Sequence, residues 1–380
     1  MTTEQEQLIT GARATGRDER SKFVRIAVDA MGGDHAPHDI VLGAVQAAQS
    51  DPLLEIRLVG RADAVAAEMA AALGESDADV RDRMSAVVAG EVVEMNDHAA
   101  ASVRRKHDAS IRVAARLVAE GSADAVVSAG NSGGVMAAAI FELKRVAGLE
   151  RPAIGTLIPS KAGYTFMLDA GANVDAKPAW LAQFAVLGDA YGRRLMGIAK
   201  PRVGLLANGE EEGKGNAVTV EANGLIAELP LNFVGNVEGK QLFDGSVDVV
   251  VTDGFTGNIA LKTIEGAAEF LLTTIRDEAR KSLRGVAGGL LLRPSIGNIR
   301  ARADWRRIGG APLLGVNGVC IIAHGRSDAE AMKNAMLRGA EAVRSNLVAA
   351  VSEAVGASLS ATGSESPELE RAAAVVEGSS

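Results

Sequence analysis

The feature that most limits the fold is an alternation repeated along most of the chain. Short apolar runs with no period-two pattern are each followed by a stretch with helical spacing. The runs lie at 24–29, 56–60, 85–89, 125–128, 153–158, 166–169, 203–207, 232–235, 249–252 and 319–323. A strand that is apolar at nearly every position is buried on both faces. Helical patterns occupy 37–49, 62–72, 110–120, 133–147, 178–196, 217–227, 258–284 and 328–355, and Pro37 and Pro178 suit first helical turns. This order predicts an α/β fold of three layers, α/β/α, around a mostly parallel, doubly wound sheet. With 380 residues the chain can hold one large domain or two smaller ones. No internal repeat and no clean linker divides it, so residues 23–355 read as one unit. Residues 1–22 are polar, with Glu4, Glu6, Asp18 and Glu19, and lack the apolar core of a signal peptide. They read as a disordered leader, and 356–380 as a flexible tail.

Composition removes several functions. The net charge of −8 argues against a general nucleic-acid surface. Cys320 is the one cysteine, which excludes a disulfide or a cysteine zinc site within the chain and points to a reducing compartment. It lies in an apolar run, as a buried structural thiol does. No apolar stretch reaches the roughly 18 residues of a spanning helix, so any membrane role is peripheral.

Polar, glycine-rich segments directly follow several of the strand-like runs, at 29–37, 128–134, 169–175, 208–216, 235–239 and 252–258. In open α/β sheets ligands bind at the carboxyl ends of strands. Convergence of these segments at one sheet edge is therefore expected. The turn holding Gly130, Asn131, Ser132 and Gly133 precedes a helix and suits phosphate, or is simply a tight strand-to-helix turn. It is neither a Walker A loop nor the dinucleotide fingerprint. Lys214, between Gly213 and Gly215, either reaches a phosphate or is an exposed surface lysine. Asn258 either donates to an oxyanion or caps a helix. Asp29, Asp34, His35 and His38 suggest a metal cluster, but Asp34 reads equally as a cap and His38 as exposed. His98, His107 and His324 are scattered, with no metal-ligand spacing. No nucleophile elbow is present, which favours direct attack by a bound substrate.

Two basic stretches stand out. Arg104 belongs to a cluster at 102–110, either solvated or holding an anion. Between 283 and 307, Leu283, Val286, Leu290, Leu291 and Leu292 lie among glycines and are accompanied by Arg293, Arg300 and Arg302. Apolar side chains beside cations fit an interfacial membrane element, a dimer contact or a core hairpin.

Together these segments resemble the acyl–acyl-carrier-protein:phosphate acyltransferase family. The resemblance runs from about Arg25 to Val351 and rests on IAVDAMGGDHAP at 26–37, VRRK at 103–106, SAGNSG at 128–133, DAGANVDAKP at 169–178, KGN at 214–216 and VTDGFTGN at 251–258. It implies a fold related to isocitrate dehydrogenase and phosphotransacetylase, and a homodimer. It implies transfer of a long-chain fatty acyl group from acyl carrier protein to inorganic phosphate, without metal or nucleotide. The acyl phosphate would feed glycerol-3-phosphate acylation in phospholipid synthesis. The enzyme would be cytoplasmic and attach peripherally to the inner membrane face through a protruding hairpin at about 265–305. Lys214 and Asn258 match the family's catalytic positions. The wider substrate and phosphate set is Asp29, Gly32, Gly33, Arg104, Gly130, Asn131, Ser132, Gly133, Asn173, Asn216, Asp253 and Thr256. The carrier is acidic as a class, so docking on this acidic chain requires a local basic surface, with the arginines from Arg293 to Arg307, among them Arg300 and Arg302, and the cluster Arg104–Lys106 as candidates. The extra acids at 210–212 bear on the charge around Lys214. Competing readings are an acyl-coenzyme A phosphotransacetylase, a dehydrogenase on the related fold, and a non-catalytic scaffold that recruits the carrier to a membrane.

Overall fold

The computed structural model describes residues 23–362. Its strands are β1 Val24–Asp29, β2 Leu54–Gly60, β3 Met84–Val88, β4 Ala125–Ser128, β5 Ala153–Ser160, β6 Gly163–Leu168, β7 Val203–Leu206, β8 Phe233–Val237, β9 Val249–Val251, β10 Ala311–Leu314 and β11 Val319–Ile322. Its helices are α1 His38–Ser50, α2 Ala62–Ala72, α3 Ala78–Asp82, α4 Ala99–Arg105, α5 Ser110–Ala119, α6 Ser132–Glu142, α7 Pro178–Arg194, α8 Ala217–Ala227, α9 Gln241–Asp244, α10 Gly254–Arg280, α11 Leu283–Ala303, α12 Trp305–Ile308, α13 Ala329–Arg344 and α14 Leu347–Thr362.

All the strands join one sheet in the order β3-β2-β1-β4-β11-β10-β5-β6-β9-β7-β8. Successive side chains along each strand enter opposite cores. Ile26 and Val28, Val127, Leu168, Val249 and Val251 face one core, which α1, α7, α8 and α13 cover. Ala27, Val126, Met167 and Val250 face the other, under α4, α5, α6, α9 and the start of α10. This is the expected three-layer α/β/α arrangement.

Seven of the described strand ladders are parallel. The three antiparallel ones, β11–β10, β10–β5 and β5–β6, are consecutive across the middle of the sheet. An odd number of reversals inverts direction. Thus β1 and β4 end at one edge of the sheet, whereas β6, β7 and β9 end at the other. The expected convergence at a single edge is therefore wrong. The expected runs do not include β10, which is a buried strand. It is antiparallel to both of its neighbours, so its two reversals cancel, and the β5–β6 hairpin supplies the net inversion.

Helix boundaries also differ from expectation. The pattern expected from 258 begins at Gly254, capped by the Asp253 carboxylate on the Thr256 N–H at 2.8 Å. The single helix expected over 328–355 is two, α13 and α14, separated where Asn346 takes a left-handed conformation at φ 52°. The second runs to Thr362. Beyond Ile264, the last α10 side chain packed against the second core, none of the described side chains of α10 and α11 is buried, so this part of the helical pair stands off the sheet.

Candidate active site

At the β1–β4 edge the polar loops interlock. Asp29 is 3% exposed and accepts the Ser128 hydroxyl at 2.7 Å. Ser128 Oγ in turn accepts the Gly130 N–H at 3.0 Å. A Cβ on Gly32 would stand 2.6 Å from the Asp29 carboxylate and 2.8 Å from the Gly130 nitrogen, so the two loops approach as only glycine allows. Burial raises the proton affinity of Asp29, and the hydroxyls of Ser110 and Ser128 and the N–H groups of Met31 and Gly32 oppose it. The Ser110 hydroxyl is itself buried and reaches no partner at hydrogen-bond geometry. Asn131 is spent on structure: its Oδ1 caps α6 through the Gly134 N–H, and its Nδ2 donates to the Met95 carbonyl. Ser132 and Gly133 form the first turn of α6, whose end favours an anion.

The loop after β11 joins this group, because β11 lies parallel to β4. The Gly325 carbonyl accepts the Asp34 N–H at 2.7 Å, and the Ala323 N–H donates to the Ser128 carbonyl at 2.8 Å. Gly33, at φ 109°, packs against the Gly325 and Ala129 carbonyls. His324 is held below its ordinary proton affinity first by burial, then by Lys262 and Arg326, with Glu265 and Asp34 opposing. Sequence spacing passed over His324 because its neighbours come from other elements.

At the opposite edge three further loops pack together. The Asp169 carboxylate accepts the N–H groups of Ile154, Gly171, Ala172 and Asn173 and the Asn173 amide, at 2.7–3.1 Å. This fixes the 169–173 turn. The Gly254 N–H donates to the Asn173 carbonyl at 2.8 Å and seats α10 on that turn. A Cβ on Gly257 would meet the Asp169 carbonyl, so this contact too requires glycine. Asn258 lies in the second turn of α10 rather than at its cap, and its side chain covers Gly171. Asn216 caps α8 through the Thr219 N–H at 2.9 Å. The backbone of the Lys214 loop is held by Asn236, whose amide donates to the carbonyls of Glu211 and Lys214. Lys214 is exposed, with no carboxylate in salt-bridge reach among the described residues. Of the neighbouring acids, Glu210 is taken by Lys240 at 3.0 Å.

These three loops border a groove of about 510 Å³. Asp175 and Val174 form one wall, Asn216 and Val218 the second, and Asp253, Phe255 and Thr256 the third.

Arg104 does not join either group. Its guanidinium stacks 5.6 Å above the Phe141 ring, nine residues along α6 from Ser132, or about 14 Å by helical rise. Asp29, Asp34, His35 and His38 do not assemble a metal site, and no such group occurs among the described residues. His38 instead pairs with Glu68 at the surface.

The comparisons with known proteins agree with one another. The model of the family described as "Fatty acid synthesis protein" matches residues 24–350. A phosphate acyltransferase of Heliobacterium modesticaldum is 49% identical over 330 residues, covering 87% of this chain and 97% of that protein. Another, from Geobacter sp., is 50% identical over 313 residues, covering 82% and 87%. This chain belongs to the phosphate acyltransferase family. As a member it is an acyltransferase. A phosphotransacetylase structure from Streptococcus pyogenes superposes with a TM-score of 0.54 at 17% identity, covering 94% of this chain and 99% of that one. A branched-chain phosphotransacylase from Enterococcus faecalis gives 0.52 at 13%, covering 84% and 99%. At such identities the likeness is one of fold.

Proposed function

We propose that this enzyme transfers a long-chain fatty acyl group from the thioester of acyl carrier protein to inorganic phosphate. The observation that carries the reading is the shared groove, bordered by the loops that bear Lys214, Asn258 and Asn173. A phosphate oxygen attacks the thioester carbonyl carbon. The new C–O bond gives the acyl phosphate as the C–S bond breaks, and the carrier thiolate takes a proton from water or hydrogen phosphate. Phosphate is already anionic at neutral pH, so no strong base is required. Asn258 Nδ2 donates to the oxyanion, and Lys214 offsets the charge of phosphate and of the developing oxyanion. Holding both substrates removes most of the entropic barrier to their encounter.

The turn at 130–133 is the phosphate-binding element in this reading, with Asp29, Gly32 and Gly33 supporting it from behind. The right-handed twist of a broad sheet turns diagonally opposite corners toward one face. α10 spans the interval: it begins beside Asn173, and Lys262 and Glu265 act on His324 at the other corner.

The hairpin of α10 and α11 is the proposed peripheral membrane contact. No described helix is long and apolar enough to cross a membrane. Val286, Leu290, Leu291 and Leu292 are exposed on it. Arg293 is exposed beside them and is proposed for carrier docking. The side chains of Leu283, Arg300 and Arg302 lie outside the described residues. Attachment to the inner membrane face from the cytoplasm, a homodimer, and consumption of the product by glycerol-3-phosphate acylation complete the reading.

Phosphate-dependent release of free carrier from palmitoyl-acyl carrier protein tests it, with Lys214→Ala and Asn258→Ala beside wild type. Acyl phosphate from wild type and a rate about a hundredfold or more lower in each variant supports the reading. Turnover near the wild-type rate in both variants removes the site, and absence of wild-type turnover removes the donor. Running acyl-coenzyme A in parallel separates the two thioester carriers.

A further inference from the structure

The groove of about 510 Å³ has a mixed lining, and the mixture identifies what fits it. Val174 and Phe255, each 56% exposed, present apolar surface from two sides, and Val218 adds to it from the third. Between them stand four polar side chains. Asn216 uses its Oδ1 on the α8 cap, which leaves its amide Nδ2 as a donor. The Thr256 hydroxyl donates to Asp253 Oδ2 at 2.8 Å, so its oxygen remains an acceptor. The carboxylates of Asp175 and Asp253 are acceptors only.

Three occupants can be weighed against this lining. Inorganic phosphate would face two carboxylates, and like charges oppose its entry. A fatty acyl chain would cover the polar groups without pairing them, which costs free energy for each one. A neutral chain of alternating amides and short apolar units fits. Its N–H and O–H groups meet the carboxylates and Thr256, its carbonyls meet Asn216, and its methyl and methylene groups meet Val174, Val218 and Phe255. The volume lies within the range of small-molecule sites.

We propose that this groove binds the pantetheine arm through which the acyl donor is presented, with the thioester end toward Lys214 and Asn258. The inference rests on the thioester reading above and adds the part of the donor recognised. It implies that specificity for the carrier over a simple thioester resides in this groove, and that acyl-chain selection is made elsewhere.

The test uses the full-length enzyme and one acyl group on two leaving groups, pantetheine and N-acetylcysteamine, which lacks most of the arm. Wild type should favour the pantetheine thioester in kcat/KM by about tenfold or more, the size of one or two hydrogen bonds to a neutral chain. Phe255→Ala and Asp175→Ala, on opposite walls and both solvent-exposed, should bring that ratio toward one, and Phe255→Leu should restore most of it. The ratio between dodecanoyl and butyryl pantetheine should stay unchanged in all three. Loss of chain-length discrimination with the arm preference intact would overturn the proposal and give the groove to the acyl chain. An unchanged arm preference in every variant would overturn it outright. Failure of wild type to turn over its carrier thioester would remove the parent reading and this assignment with it.

Discussion

The Asn258 side chain lies over the backbone of Gly171, its Cβ, Cγ and Oδ1 3.6–3.8 Å from where a Cβ on that glycine would stand. Gly171 sits at φ 141°, and its N–H donates to Asp169. The buried Asp169 carboxylate thus sets the surface on which the proposed oxyanion donor rests. Replacing Asn258 by Ala should lower kcat by about 10²- to 10³-fold with little change in the KM for the donor. Gly171→Ala forces a side chain into a backbone conformation that costs about 1–3 kcal/mol. It should lower the melting temperature and lower kcat less than Asn258→Ala does. Steady-state kinetics beside thermal melts would check both. Full activity in Gly171→Ala would show that the surface under Asn258 is not needed.

Lys240 bridges Glu210 at 3.0 Å and Glu238 at 2.9 Å, close to the loop that carries Lys214. These are exposed groups, so the pair acts on local potential rather than on stability. Lys240→Ala releases two negative charges beside the path of an anionic substrate. The expected result is a few-fold rise in the KM for phosphate at low ionic strength, fading as salt is added. The double variant Lys240→Ala, Glu210→Gln should recover most of the loss. A KM that ignores both changes would separate the acidic stretch at 210–212 from phosphate.

Asp29 offers a stability test with a definite sign. Burial holds its proton affinity above the ordinary 3.8. A carboxyl with a raised folded-state value favours folding while protonated. That contribution is fully present below about pH 3.8 and is lost as pH rises through the raised value. Asn at this position keeps an acceptor for the Ser128 hydroxyl and carries no charge. The melting temperature of Asp29→Asn relative to wild type should therefore increase as pH is raised from 3 to 7. Thermal melts across that range would reveal it, and a difference that does not depend on pH would place the Asp29 charge in a solvated setting.

Much of this was readable before any coordinates. The continuous apolar runs at 24–29, 125–128 and 249–252 forced burial on both faces, and the helical patterns between them supplied the two outer layers. Strand direction was not readable. It turns on the β5–β6 hairpin, whose antiparallel pairing inverts the far half of the sheet, since alternation alone does not state parallel or antiparallel pairing. Site residues were legible as types but not as neighbours. Asn131 and Asn216 proved to be helix caps, a role sequence leaves open for any Asn ahead of a helix. Arg104 enters the phosphate set only through the VRRK resemblance, and its guanidinium stacks on Phe141. The groove walls Val174 and Phe255 gave one usable hint: large apolar residues placed in otherwise polar loops.

The last prediction concerns the α10–α11 hairpin. Gly285 packs so closely on Ala279 that a Cβ there would meet the Ala279 carbonyl, which fixes the turn between the helices. Past that turn, Leu291 is 83% exposed, with Leu290 and Leu292 also turned to solvent and Arg293 adjacent. Such side chains gain free energy by entering the headgroup region of an anionic bilayer, helped by the neighbouring cation. Leu291→Glu removes an apolar contact and adds a charge repelled by that surface. It should abolish co-sedimentation with vesicles of mixed neutral and anionic lipid. Turnover of a soluble thioester should remain within about twofold of wild type, because the substitution lies outside the groove and both loop groups. Retained vesicle binding would move the membrane contact off this hairpin. Loss of activity in solution would mean instead that the hairpin supports the catalytic loops through the length of α10.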